Sequence, residues 1–279
     1  MKQTAQAKWF LFSEGDFCTE KNMPERNLRN LIAGMEITES LGNLSSEIEN
    51  IAFDSRKVRP DGLFVAIPGG KHDGGTFIKE ALDKGATAII TEASLESLSS
   101  LHIDREKVAL LRTSDSRKSL AIASANFYEN PSAHLSLTGI TGTNGKTTLA
   151  YVLETLAKAD SKYTGVIGTI DCHFGNTKIP TMTTPESLDL NLNLKQMVDA
   201  GVTDCFIEVS SHALSQKRVY DMNFDFGIFT NLSRDHLDFH SDMEKYKNAK
   251  AELFRGNAVK TPIVNIDDPV GKEFALELK

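Results

Sequence analysis

The 279 residues are 40% apolar and 25% charged, enough to bury a sizeable core and, by length, to form two domains. The 31 basic residues against 38 acidic ones leave a net charge of −7, which excludes a general nucleic-acid binder, and no apolar stretch approaches the length of a membrane span. Three cysteines, Cys18, Cys172 and Cys205, odd in number and without C-x-x-C spacing, point to a reducing cytoplasm and away from a structural metal.

Residues 1–26 are polar and unpatterned, and their apolar run at 9–12 is shorter than the core of a secretory signal, so they read as a loosely ordered leader. Further on, strands alternate with helices. ATAIIT (86–91) and VALLRT (108–113) predict strands, while TFIKEALDKG and RKSLAIASANFYE show helical spacing, an α/β pattern. YENPSAHLS (128–136), with Asn130-Pro131, reads as a linker, and a second α/β unit follows it. There 135–140 predicts a strand, 141–145 a tight loop and 146–159 a helix. DCFIEVSS (204–211) is an apolar strand ending in Glu208, and SDMEKYKNAKAELF (241–254) predicts a helix opened by a capping box of Ser241 and Glu244.

The stretch TGITGTNGKTT (138–148) departs from a Walker A loop, because Ile140 stands where G-x-x-x-x-G-K-[ST] needs glycine. Its setting of strand, glycine loop and helix is nevertheless that of a phosphate cradle, since first-turn helix amides lack internal acceptors and point at a ligand. Gly142 and Gly145 can take the positive φ that such a loop needs. Lys146 would meet the β and γ phosphates, and Thr147 or Thr148 would offer a hydroxyl to Mg²⁺. The competing reading is an ordinary strand-to-helix turn.

Other residues are ambiguous by themselves. Glu208, at a strand's carboxyl end beside the loop, reads either as a Mg²⁺ ligand or as a solvated strand end. SRDHLDFH (233–240) places Asp235, His236, Asp238 and His240 close together, yet without cysteine it reads as a solvated loop as readily as a metal site. Lys250 looks like a surface lysine on a helix. PGGKHDGG (68–75) is either a flexible loop or a backbone that approaches a pyrophosphate.

GITGTNGKTT resembles the ATP loop of the Mur ligase family, the ATP-dependent amide-forming enzymes of peptidoglycan synthesis. The resemblance extends through DSRKVRPDGLFVAIPG (54–69), TTPES (183–187), EVSSHALSQKRV (208–219), FTNLSRDHLDFHSDMEKYKNAKAELF (229–254) and VNIDDPVG (264–271), from about residue 27 to the last. These stretches look like those of the members that add a diamino acid to UDP-N-acetylmuramoyl-L-alanyl-D-glutamate. The resemblance implies a small N-terminal α/β UDP-binding domain (27–133) followed by a P-loop α/β ATP-binding domain with a mostly parallel sheet (134–279, incomplete). The family's C-terminal domain is not represented, so the chain is expected to be a fragment that binds but does not turn over.

By the same resemblance, residues 142–148 (Gly142, Thr143, Asn144, Gly145, Lys146, Thr147, Thr148) and Asn231 bind ATP. Thr147, Glu208, His236 and Lys250 serve Mg²⁺, with Lys250 carboxylated by CO₂ to a carbamate; Lys146, Lys250 and His236 are the catalytic set. Phe53, Ser55, Gly70, Lys71 and His72 match the uridine-diphosphate site, although Gly70 replaces a histidine of some relatives. Thr183, Thr184, Ser210, Gln216 and Arg218 match contacts to the muramoyl peptide, Arg218 as a fork for a carboxylate or phosphate, and Met182 stands where some relatives have asparagine. The implied chemistry is an acyl phosphate attacked by an amine, in the cytoplasm. An ATP-driven regulatory module would need the loop but not the uridine-site match, and the folate polyglutamylating ligases, which share the loop, lack the first domain.

Overall fold

The computed structural model describes residues 26–69, 73–179, 183–255 and 258–278. A first sheet contains β1 (Ile37–Leu41), β2 (Asn50–Ala52), β3 (Gly62–Ala66), β4 (Ala86–Thr91) and β5 (Ala109–Thr113) in the order β1-β5-β4-β3-β2. All pairings are parallel except that of β1. α1 (Leu28–Leu31) and α3 (Ser116–Phe127) cover one face, where Leu63, Val65, Ile90 and Leu111 meet Leu28, Leu120 and Phe127; α2 (Ile78–Asp83) covers the other, where Phe64 and Ile89 meet Ile78 and Ala81. Burial on both faces explains why β3 and β4 read as continuous apolar runs instead of alternating ones.

The second sheet has seven strands, β6 (Ser136–Thr141), β7 (Thr164–Ile167), β8 (Cys172–Phe174), β9 (Thr177–Ile179), β10 (Asp204–Glu208), β11 (Asn223–Phe229) and β12 (Ala258–Val264), in the order β12-β11-β6-β10-β7-β8-β9. β12, β11, β6, β10 and β7 run parallel, and β8 and β9 close the edge as an antiparallel hairpin. α4 (Lys146–Ala159) packs over Ile140, Val166 and Phe206 through Ala150, Leu149 and Leu153, while α5 (Ser187–Asp199) covers the opposite face through Leu190, Leu194 and Met197. α6 (Ser211–Ser215), α7 (Leu237–His240), α8 (Met243–Arg255) and α9 (Pro269–Glu277) complete this unit. Leu188 of α5 also packs against the core of the first unit, and α5 lies on α3. Among the described residues no helix is long and apolar enough to cross a membrane.

The expected strands and helices occur at their places, β4 and α4 with the boundaries read from the sequence. The capping box does not form. Ser241 sits at φ 62° closing α7, its hydroxyl accepts from the Lys245 ammonium (3.0 Å), and Asp242 takes the Lys245 amide (2.7 Å) in its place. The expected linker carries a short 3-10 turn, Pro131–His134, and β6 begins within its last residue. Most of the expected leader lies outside the described residues.

Candidate active site

The loops leaving β6, β7, β10 and β11 meet at the carboxyl edge of the second sheet, where open α/β sheets place ligands. Between β6 and α4 the chain turns through Gly142 (φ 145°) and Gly145 (φ 86°). A Cβ on Gly142 would lie 1.9 Å from Thr230 Oγ1, so glycine is required by crowding as well as by φ. The loop after β11 clamps this turn. Thr143 N donates to Asn231 O (2.8 Å), Asn144 N to Asn231 Oδ1 (3.0 Å), and Thr230 Oγ1 and Asn231 Nδ2 both donate to Asn144 O. Asn231, expected to line the nucleotide pocket, thus holds the loop's shape.

Two loop amides are consumed by that clamp, which leaves the first-turn amides of α4, at Lys146, Thr147 and Thr148, as the donors aimed outward. Asn144, Gly145 and Thr148 are exposed at the mouth of the turn. Lys146 folds back, its Nζ donating to Gly142 O and Thr143 O at 3.0 Å each. Burial lowers its pKa, against the pull of Glu208 and Asp235.

Glu208 is wholly buried at the end of β10. Its Oε2 accepts from Thr147 Oγ1 (2.8 Å) and Thr169 Oγ1 (3.1 Å), and its Oε1 from Thr169 N (2.9 Å). Gly168 permits this approach, since a Cβ there would lie 2.3 Å from Oε1. Among the described residues no cation forms an ion pair with Glu208. A buried carboxylate surrounded by neutral donors, with a threonine oxygen alongside, is a donor set that suits a hard divalent cation.

Lys250 is 1% exposed, contrary to a surface lysine, and its Nζ donates to Gly142 O (2.7 Å) while lying 4.6 Å from the Tyr246 ring centre. Burial, reinforced by the charge on Lys146, lowers its pKa from 10.5 to about 7. His236 packs edge-to-face against Tyr246 and against His212, with Nε2 3.5 Å from Asp235 Oδ2. His240 donates to or accepts from Ser211 Oγ at 2.8 Å and stacks beside Tyr246. The expected metal residues fall into two groups, Thr147 with Glu208 and His236 with Lys250 about Tyr246. Among the described residues no three His, Cys, Asp or Glu side chains come together to hold a metal.

The expected muramoyl-peptide contacts gather beside Glu208. Thr183 Oγ1 lies 3.1 Å from Thr169 Oγ1, whose own proton goes to Glu208. Thr184 is buried, its hydroxyl donating to Glu208 O and accepting from Ser210 N, so it pins β10 to the neighbouring loop. Ser210 Oγ accepts from Ala213 N as the cap of α6. Arg218 donates from Nη1 to Thr184 O (2.7 Å) and from Nη2 to Gln216 Oε1 (2.6 Å). In the first unit Phe53 packs on the core and the buried Ser55 donates to Glu80 (2.8 Å). Gly70, Lys71 and His72 lie outside the described residues. Thr169, Gly168, Tyr246 and Glu186 were missed by sequence reasoning. None is marked by its local sequence, and Thr169 follows β7, whose place beside β10 only the sheet order reveals.

Residues 140–279 match the family model described as Mur ligase middle domain, and residues 47–128 that described as Mur ligase family, catalytic domain. The UDP-N-acetylmuramoyl-L-alanyl-D-glutamate–2,6-diaminopimelate ligase of Clostridium perfringens strain 13 is 42% identical over 254 residues, 90% of this chain and 50% of that protein. Its Clostridium botulinum counterpart is 46% identical over 228 residues, 81% of this chain and 46% of that protein. A solved structure of a ligase of the same name superposes with a TM-score of 0.74 at 28% identity, covering 90% of this chain and 49% of that one. The chain spans about half the length of the curated relatives it matches. With more than half its residues inside these two matches and the loop, the buried carboxylate and the buried lysine set at one sheet edge, the chain belongs to the Mur ligase family.

Proposed function

We propose that the chain carries the ATP site and the sugar-nucleotide site of an ATP-dependent ligase that adds a diamino acid to UDP-N-acetylmuramoyl-L-alanyl-D-glutamate. The diamino acid named for the relatives is 2,6-diaminopimelate. The division into a UDP-binding domain (27–133) and an ATP-binding domain (134–279) belongs to the same proposal. The observation that carries it is the convergence on Gly142 O of two lysines, Lys146 from the loop and Lys250 from α8, beside the buried carboxylate of Glu208.

In this reading Lys146 exchanges its two backbone carbonyls for the β and γ phosphates, joined by the first-turn amides of α4. The D-glutamate carboxylate attacks the terminal phosphorus, a carboxylate–phosphorus bond forms as the bond to ADP breaks, and the amine then displaces phosphate from the acyl carbon. The protein's task is positioning and charge stabilisation. Thr147 and Glu208 would hold one Mg²⁺, and His236 with a carbamate on Lys250 a second; bound there, the ions neutralise charge that develops on the phosphoryl oxygens. An amine that titrates at about 7 is half neutral at pH 7 and mostly neutral by pH 8, and the neutral form attacks CO₂, its nitrogen bonding carbon as a proton leaves. Thr143, Asn144, Thr230 and Asn231 fix the loop.

Calorimetric titration with Mg·ATP and with the UDP-muramoyl dipeptide tests the proposal. Both ligands are expected to bind, and Lys146→Ala is expected to weaken ATP about 100-fold by losing its charge-assisted contacts. Unchanged ATP affinity in that variant, with the fold intact by circular dichroism, would refute the phosphate-loop reading.

A further inference from the structure

Glu186 stands between two arginines that come from different units of the chain. Its Oε1 lies 2.8 Å from Arg218 Nε, and its Oε2 lies 3.7 Å from Nη1 of Arg117, which sits in the first turn of α3. All three side chains are less than one-third exposed, so these charges are only partly screened. Arg218 spends Nη1 and Nη2 on good hydrogen bonds, but Nε is buried and makes none. Glu186 is therefore close enough to neutralise Arg218 yet poorly aligned with its remaining donor, the kind of contact that a better-placed carboxylate replaces.

We propose that Glu186 is a built-in competitor for Arg218, displaced when a ligand carboxylate takes the Nε donor and received in exchange by Arg117. This rests on the reading above that Arg218 meets the muramoyl peptide. One carboxylate shared by two arginines would keep the site from trapping arbitrary anions. It would also make entry of the peptide carboxylate depend on contact between α3 and the start of α5.

The test is calorimetric titration of the UDP-muramoyl dipeptide, with UDP as the probe that lacks a carboxylate, into the parent chain and four variants. Glu186→Gln is expected to tighten the dipeptide about tenfold, the size of one charged contact no longer contested, and to leave UDP unchanged. Arg117→Ala, which removes the exchange partner, is expected to weaken the dipeptide. The double variant should bind as tightly as Glu186→Gln, because Arg117 acts only through Glu186. Glu186→Asp, which keeps the charge, should stay near the parent. Thermal melts establish that each variant is folded. Equal or weaker dipeptide binding by Glu186→Gln, or additive effects in the double variant, overturns the competitor role. Failure of the parent to bind the dipeptide overturns the functional reading itself, and the inference with it.

Discussion

Burial of Lys250 to 1% exposure disfavours its ammonium form, and Lys146 adds repulsion, so Nζ titrates at about 7 where a free lysine titrates at 10.5. The sign of the linkage follows. Between about pH 10 and 7 the unfolded chain binds a proton at this position that the folded chain does not, so stability falls as pH is lowered through that window and levels off below it. In CO₂-free buffer, Lys250→Met is expected to gain on the parent by roughly 4 kcal/mol as pH falls across the same window, the lost hydrogen bond to Gly142 being a constant cost at every pH. Urea melts at several pH values measure this. A difference that does not vary with pH would mean an ordinary ammonium. In bicarbonate, native mass spectrometry of the parent should show one added CO₂ that the variant lacks. At this scale the sequence was legible where chemistry is contiguous, as in residues 142–148, and Lys250 was legible only through family resemblance, because nothing in KNAKAELF marks one lysine as buried.

The β8–β9 hairpin has two three-residue strands that reach the core through Cys172, Phe174 and Ile179, and it closes the sheet beside the site. A charge cluster holds it to α4. Both nitrogens of His173 face carboxylates, Nδ1 at 2.6 Å from Asp171 and Nε2 at 2.8 Å from Glu154, while Tyr151 and Lys178 reach Asp171 and Lys158 reaches Glu154. Desolvation works against the ionised form of Asp171, but the hydrogen bonds from His173, Lys178 and Tyr151 outweigh it and hold its pKa near 2. Its contribution to stability is thus present above about pH 4 and lost as pH falls towards 2. The cluster braces the turn in which Gly168 N donates to Asp171 O, and that turn carries Thr169 to Glu208. His173→Ala would leave Asp171 to Lys178 and Tyr151 and Glu154 to Lys158, with one partner lost on each carboxylate, a loss of about 2 kcal/mol in urea denaturation at pH 7. A loss under about 0.5 kcal/mol, the usual range for surface sites, would show that backbone pairing and the packing of Cys172 and Phe174 hold the hairpin without the charge cluster. The sequence reading did not anticipate this hairpin. The alternation of Cys172, His173 and Phe174 and the Gly175-Asn176 pair span too few residues to stand out, whereas ATAIIT and KTTLAYVLETLAKA state their period directly. Ser241 shows the converse error, a correct local motif overridden because the preceding short helix needed its left-handed backbone.

Two sheets, each covered on both faces, are joined where α3 meets α5, and that contact is polar as well as apolar. Leu188 packs on the core of the first unit, while Lys195 pairs with Glu129 across the contact at 3.5 Å and Arg117 lies 3.7 Å from Glu186. Interfaces of this mixed character are typical of units that shift relative to one another. The proposed uridine contacts, Phe53 and Ser55, lie on the first unit, and the proposed peptide and nucleotide contacts on the second. One ligand long enough to touch both would hold the units in a fixed relation. A polypeptide of these 279 residues is accordingly expected to bind the UDP-muramoyl dipeptide with greater affinity than UDP, since only the dipeptide engages Thr183 and Arg218 as well. It is expected to form no amide. No described residue is assigned to the incoming amine, and the mouth of the loop at Asn144, Gly145 and Thr148 is open to solvent, where an acyl phosphate is hydrolysed before an amine can reach it. ADP release and product mass, followed with lysine and with diaminopimelate in turn, separate these two statements. Amide from either amine would show that these residues suffice for the whole reaction, and equal affinity for UDP and for the dipeptide would show that the second unit contributes nothing to the sugar-nucleotide site.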